Sequence, residues 1–304
     1  MNAPAIDQNL RIAITGAGGY LGRNLCRYFN DHGAAVFQLT SNLARTDQSI
    51  PSAHFSFQAG VAKNFFADND INTLVHAAYD FTPRTRATIW DCNVKGSINL
   101  FTQARAEGVE RITFISSMSA YEGCRSLYGQ AKMEIEAALG ASGQGCSVRP
   151  GLIYSMPITE SGGMVGSLLN SVNRGLIPLI GKGQQELYLC HEHDLAHLID
   201  RVSQNPTALG QTPITAANPR AYTLREIIQL LAQTVNGNKA RLAPVPWKFV
   251  WAGLRLLEGA GLNPPFRSDS VLSLVHQNPS PDFSTIPDGV AFRDFAAALS
   301  NESC

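Results

Sequence analysis

In the stretch SLYGQAK, residues 126–132, a tyrosine stands four positions before a lysine. On a helix Tyr128 and Lys132 share one face, a single turn apart. Eleven residues before the tyrosine, Ser117 ends the apolar run RITFISS. A hydroxyl, a phenol and an ammonium together suit the movement of a proton at an oxygen while a hydride moves at the carbon that bears it. A free phenol, with a pKa of about 10, is a poor base near neutrality. A lysine ammonium and an oxidised nicotinamide nearby would stabilise its anion, each unit of depression being worth about 1.4 kcal/mol. Ser117 would hold the substrate oxygen by hydrogen bonding. The pair alone proves little, so the case rests on what surrounds it.

Upstream, ITGAGGYLG (14–22) follows an apolar strand and opens a helical pattern, with Gly16, Gly19 and Gly22 at the spacing of a dinucleotide-binding turn. Gly16 permits the tight turn, Gly19 lets the backbone approach a pyrophosphate, and Gly22 lets the helix pack close to the sheet. Gly18, Tyr20 and Leu21 complete the segment, and the helix start offers unpaired N–H groups to phosphate. At the end of the next strand, FQLTSNLAR, a carboxylate would bind the ribose 2′-hydroxyl of NAD. Thr40 and Ser41 stand there instead, Arg45 lies just beyond, and no carboxylate occurs before Asp47. The cofactor is NAD or NADP, and this strand end tilts toward NADP with Arg45 as phosphate partner. Arg45 as a solvated loop residue is the alternative.

These groups need a scaffold. Short apolar runs at 11–15, 35–39, 73–78, 111–117 and 146–150 are separated by helical patterns, including 84–108 and 128–140. That rhythm predicts an α/β fold with a Rossmann-type, doubly wound parallel sheet over 1–150. After Pro150 glycine and proline become frequent and helices predominate, as expected of a smaller, mainly helical C-terminal substrate lobe over 151–304. A segment near 183–216 is expected to return to the first lobe. Asp194 is expected to cap a helix over 194–203, and Thr223 with Glu226 to form a capping box.

Lys plus Arg equals Asp plus Glu at 24 each, which argues against nucleic acid as a partner. The start MNAPAIDQNL has neither a basic nor an apolar run, so it does not read as a signal peptide. Cys26, Cys92, Cys124, Cys146, Cys190 and Cys304 are scattered, fitting a reduced, cytoplasmic chain with cysteines as core fillers. Cys124 lies between Ser117 and Tyr128 but has no identifiable base partner, and is read as incidental. CHEHD (190–194) tempts a metal reading, yet nothing there imposes ligand geometry, and no metal is expected. The apolar stretch 247–262 is too short and too charged to span a bilayer. A largely buried helix is expected there, with an interfacial membrane helix as the alternative.

TGAGGYLG, VHAAYD, NVKGSINL, FISSMSAYEG, YGQAK, VRPGLIY and CHEHDLAHLI occur in one order along most of the chain. In that order they resemble the extended branch of the short-chain dehydrogenase/reductase superfamily, its NAD(P)-dependent epimerases, dehydratases and reductases. The resemblance implies Tyr128 as general acid/base, Lys132 as ribose anchor and pKa tuner, Ser117 as carbonyl clamp and Asn93 as support for a proton relay. It implies cofactor contacts from His76, Ala77, Ala78, Ser116, Pro150, Gly151 and Leu152, and substrate contacts from Tyr79, Met118 and Ser119. A dehydratase of this branch has an acidic pair where Met118 and Ser119 stand, so dehydration is disfavoured. What remains is an epimerase acting on a nucleotide sugar through a transient keto intermediate, or an NADPH-dependent ketoreductase of a sugar or more apolar carbonyl. A non-catalytic cofactor-binding protein is the third reading. Leu152 replaces an asparagine common in sugar epimerases, while NRGLIPLIGKGQQ resembles their substrate lobe. By the same analogy the chain is expected to form a homodimer.

Overall fold

A computed structural model describes residues 9–143, 145–158, 163–173, 176–204, 212–237, 239–262, 264 and 266–301, so Cys304 lies outside the described residues. The first lobe runs β1 (Arg11–Thr15), α1 (Tyr20–Asp31), β2 (Ala35–Thr40), β3 (Ser52–His54), α2 (Phe65–Asp68) and β4 (Thr73–His76). It continues through α3 (Arg86–Ile89), α4 (Lys95–Ala106), β5 (Arg111–Ile115), α5 (Leu127–Gly140) and β6 (Gly145–Pro150). The helix expected over 84–108 is broken in its middle, where Trp90–Val94 winds as a wider π turn between α3 and α4.

After β6 come β7 (Leu152–Tyr154), α6 (Gly163–Asn173), β8 (Leu176–Ile180), β9 (Glu186–Leu187), β10 (Leu189–His191) and α7 (Glu192–Gln204). The chain then forms β11 (Ile214–Ala216), β12 (Tyr222–Thr223), α8 (Leu224–Asn236), β13 (Arg241–Val245), α9 (Trp247–Gly259), α10 (Ser268–Val275) and α11 (Phe295–Asn301).

Seven strands form one sheet in the order β11-β6-β5-β4-β1-β2-β3, and every neighbouring pair is parallel. Strands covered on both faces are buried throughout, and all four residues of β4 are, with Leu74 and Val75 apolar and the polar Thr73 and His76 hydrogen-bonded. Alternate residues feed opposite faces. Ile12 and Ile14 pack with Leu25 and Phe29 of α1 and Leu195 and Ile199 of α7, whereas Ala13 packs with Leu100 of α4 and Ile135 of α5. β11 and α7 thus lie with the first lobe although the chain has already entered the second. The second lobe has its own core, in which Tyr154, Leu179, Ile227, Leu231 and Phe295 are buried together.

The capping box on α8 forms as expected, with Thr223 and Glu226 each satisfying the other's backbone N–H. Two other expectations fail. Asp194 is the third residue of α7, because β10 runs directly into the helix, and its carboxylate accepts from the Arg293 guanidinium (2.6 Å) and backbone N–H (2.8 Å). The helix at 247–259 forms but is not buried. No residue of α9 is fully covered, and Phe249 is 73% and Leu256 76% exposed. The reason is geometric, since α10 covers one side of α9 and nothing described covers the other.

Candidate active site

A cleft of about 1040 Å³ runs over the carboxyl ends of β1, β2, β4, β5 and β6 and beneath the second lobe. Open parallel sheets bind ligands at those ends because the strand-to-helix loops there aim helix N-termini at one crevice.

Its floor is the β1–α1 turn. Gly16 holds φ at +73°, and a β-carbon on Gly22 would sit 2.1 Å from the Gly16 carbonyl oxygen, so the helix can begin this close to the strand only with glycine there. α1 starts after Gly19 without a side-chain cap, leaving its first amides facing the cleft with the positive end of the helix. Gly18, Tyr20 and Leu21 line the same wall, opposite Ala77 and Ala78, whose N–H groups both donate to Thr15 Oγ1. Ser116 Oγ is buried beside this space without a hydrogen-bond partner among the described residues. An uncapped helix start, a glycine cradle and an orphaned hydroxyl fit a dinucleotide.

At the far end Thr40, Ser41 and Arg45 line the cleft together with Asn42. Arg45 is exposed on a short 3-10 turn and makes no ion pair among the described residues. Asp47 is turned away, its carboxylate taken by the backbone N–H (2.9 Å) and hydroxyl (2.6 Å) of Ser49.

At the reaction end the chain leaves β5 still paired with β6, as Ser116 N–H donates to Val148 O and Met118 N–H to Pro150 O. This carries Ser117, Met118 and Ser119 into the cleft wall beside Pro150, Gly151 and Leu152. Ser126 caps α5 by accepting from Gly129 N–H (3.1 Å). Gly129 allows the approach, since a β-carbon there would lie 2.2 Å from Ser119 O. Tyr128 and Lys132 then project to the cleft next to Ser117. Bidentate pairing of Arg149 on β6 with Glu136 (2.8 and 2.6 Å) fixes α5 against the sheet one turn further on.

Lys132 is buried, its ammonium donating to Ile115 O at 2.7 Å and lying 4.5 Å from the Phe114 ring centre. Burial pushes it down to about 7, against the opposing pull of Glu136. Burial pushes the Tyr128 phenol up to about 12, and the Ser117 hydroxyl works the other way. Tyr79 meets the Tyr128 ring edge-on at 4.9 Å, and Phe81 stacks on it at 5.8 Å.

Two expected cofactor or relay residues do not reach the cleft. His76 is fully buried, bonded through Nδ1 to Thr15 Oγ1 and through Nε2 to Ser97 Oγ, both at 2.8 Å. Burial and the nearby Lys132 charge push it down to about 3, so it is a neutral strut under the cleft. Asn93 is likewise buried, and its amide is consumed by the backbone of Asp80, accepting at 2.8 Å and donating at 2.9 Å. It holds the loop that carries Tyr79. Cys124 is buried beside Met133 and does not line the cleft. In CHEHD, His191 Nδ1 accepts from His193 N–H and Asp194 is engaged by Arg293.

The second lobe adds residues that the sequence offers no local signal for. Asp269, in the first turn of α10, accepts from the backbone N–H groups of Leu127 (2.8 Å) and Tyr128 (3.0 Å). Its neighbour Arg267 donates to the carbonyls of Phe81 (2.6 Å) and Pro83 (3.0 Å). Phe266, Ser270 and Leu274 close the substrate side of the cleft.

Asp269→Ala should destabilise the protein by about 1–2 kcal/mol in thermal melts, and Asp269→Asn by less, because an amide oxygen still accepts. Lys132 gives a pH signature. Its folded pKa lies below that of the unfolded chain, so between about pH 7 and 10.5 the unfolded state binds more protons and stability rises with pH. Lys132→Met should therefore raise Tm over wild type most at or below pH 7, with the gain shrinking by pH 10. A gain independent of pH would contradict burial as the cause.

The Sinorhizobium fredii protein y4nL is 26% identical over 196 residues, 57% of this chain and 53% of that one, so the chain spans about half the length of the curated relative it matches. Among solved structures, the UDP-glucose 4-epimerase of Thermotoga maritima with UDP-glucose superposes with a TM-score of 0.65 at 16% identity, covering 86% of this chain and 96% of its own. TunA, an NAD-dependent NDP-hexosamine 5,6-dehydratase of tunicamycin biosynthesis, gives 0.66 at 18% identity over 78% of this chain and 84% of its own. At such identities these two show a shared fold. A model of the NAD dependent epimerase/dehydratase family matches residues 12–215, and this chain belongs to that family.

Proposed function

We propose that the chain is an NAD(P)-dependent oxidoreductase of the epimerase type, acting on a nucleotide sugar through a transient ketone. The observation that supports this reading most directly is the convergence of Ser117, Tyr128 and Lys132 on one wall of a cleft whose other end is a dinucleotide cradle. A nicotinamide held there would supply hydride exchange between its ring and the carbon that passes between carbinol and ketone. Ser117 holds the substrate oxygen, and Tyr128 moves the proton at that oxygen. With its pKa pushed up to about 12 the phenol carries its proton near neutrality, the form that can donate to a carbonyl oxygen. Accepting a proton from a carbinol requires positive charge close by, which Lys132 supplies when protonated. Gly16, Gly18, Gly19, Tyr20, Leu21 and Gly22 would hold the pyrophosphate, with Ala77, Ala78, Ser116, Pro150, Gly151 and Leu152 along the rest of the nucleotide. Tyr79, Met118 and Ser119 would face the substrate. UDP-glucose in the Thermotoga relative supports the nucleotide-sugar class.

One observation favours a second reading, reduction of a more apolar carbonyl by exchangeable NADPH. Tyr79, Phe81, Met118, Phe266 and Leu274 face the substrate side, and Arg267 there is already committed to two backbone carbonyls. Mass spectrometry of the nucleotide released on denaturation separates the two. Stoichiometric NAD supports the epimerase, which must keep its cofactor through a cycle. A protein that releases none and then oxidises NADPH with carbonyl substrates supports the reductase.

Tyr128→Phe keeps the packing and removes the proton, so turnover should fall by about 10²- to 10⁴-fold with cofactor affinity little changed. A variant as fast as wild type would remove the mechanism whatever the substrate. For the 2′-phosphate, Arg45→Ala should weaken NADPH binding about tenfold and leave NADH binding nearly unchanged. Equal losses for both nucleotides would mean that Arg45 does not read that phosphate.

A further inference from the structure

Packing against α10 does not explain the composition of the outer face of α9. Phe249, Gly253, Leu256 and Ala260 fall at spacings of four, three and four, which makes one continuous helix face, and all four are exposed. Leu257 and Leu262 are exposed beside it. The apolar surface extends to Phe81, 60% exposed at the cleft mouth, because Arg267 bonds its carbonyl and Arg84 bonds Glu258 O near the end of α9. Most of the large exposed apolar side chains among the described residues therefore collect on this one side, where isolated ones would need no explanation.

The charges around the face are of one sign. Lys248 and Arg255, seven residues apart, run along its flank, lying 6.0 Å from the Trp247 ring and 5.9 Å from the Trp251 ring. Within α9 the charged residues are Lys248, Arg255 and Glu258, and of these Lys248 and Arg255 are exposed; just before it in sequence stand Lys239 and Arg241. Glu258 is not free to offset them, since it accepts from the Ser268 hydroxyl and N–H and lies 3.9 Å from Arg267. The whole chain is neutral, so this imbalance is local.

We propose that the α9 face docks on an anionic lipid surface with the cleft mouth beside it. Phenylalanine and leucine on one face of a helix lying flat, flanked by lysine and arginine, is what a headgroup boundary accommodates: the apolar face enters the acyl margin and the cations meet anionic headgroups. A second copy of this chain suits the face poorly, because a two-fold contact centred on it would bring Lys248 of one copy against Arg255 of the other. No helix among the described residues is long and apolar enough to cross a membrane, so the contact is peripheral. The proposal holds for either reaction above.

Co-sedimentation of the full chain with vesicles of phosphatidylcholine, with and without phosphatidylglycerol, tests it. The protein should pellet with the anionic vesicles and be released by high salt. Phe249→Ser with Leu256→Ser should lose at least about tenfold in partitioning while the melting temperature stays unchanged, both side chains being exposed. Lys248→Glu with Arg255→Glu should lose the anionic preference and serves as an independent variant. Three results would overturn the proposal. The wild type could stay in the supernatant, or pellet equally with neutral vesicles. It could also be a dimer by light scattering that the Phe249/Leu256 variant separates, which would make the face a self-interface.

Discussion

The site depends on one close approach, the amino end of α5 against the loop that leaves β5. The Ser119 carbonyl occupies the space that any β-carbon at residue 129 would need, so glycine there lets helix and loop touch. That contact sets Tyr128 beside Ser117, two side chains that lie on different elements. The helix is then held from three directions. Ser126 caps it from within, Arg149 grips Glu136 from β6, and Asp269 bonds its first amides from the second lobe. Acid/base groups lose much of their efficiency when misplaced by an ångström, so rigidity here has a direct chemical meaning.

Rigidity by burial has an electrostatic consequence. The same desolvation raises the phenol of Tyr128 and lowers the ammonium of Lys132, driving both toward their neutral forms. A group that has to exchange protons is useful when its pKa can be moved by what enters the site. The neutral strut of Thr15, His76 and Ser97 lies below the cleft and keeps a competing titratable charge out of the floor.

The second lobe is more than a lid. Asp269 and Arg267 reach across to α5 and to the loop bearing Tyr79 and Phe81, while Arg293 binds Asp194 in α7 of the first lobe. Each contact joins residues far apart in sequence through charge-assisted hydrogen bonds, the stronger class. The substrate side of the cleft is therefore shaped by the junction of α9 and α10, and the helix beginning that junction presents its apolar face outward.

Local geometry is legible in the chain alone. Glycine spacing in ITGAGGYLG, the buried apolar runs, the Thr223–Glu226 box and the Tyr128–Lys132 pair all depend on neighbours within one or two turns, and a pattern of that range can be read from a string of residues. The same holds for Arg45 as the cation at the end of β2. Whatever depends on distant partners is settled by the packed molecule instead. Asp194 reads as a cap until Arg293 claims it, and Asn93, read as support for a proton relay, is seen only in the packed molecule to bond the Asp80 backbone. His76 looks like a ligand contact but is a buried strut, because the parallel sheet places it under Thr15. Asp269 carries no signal, since its importance exists only where α10 meets α5. For α9 the composition reads as core, whereas exposure is settled by which faces its neighbours cover. Periodicity says which residues share a face, and only the packing of other elements says whether that face meets protein or solvent.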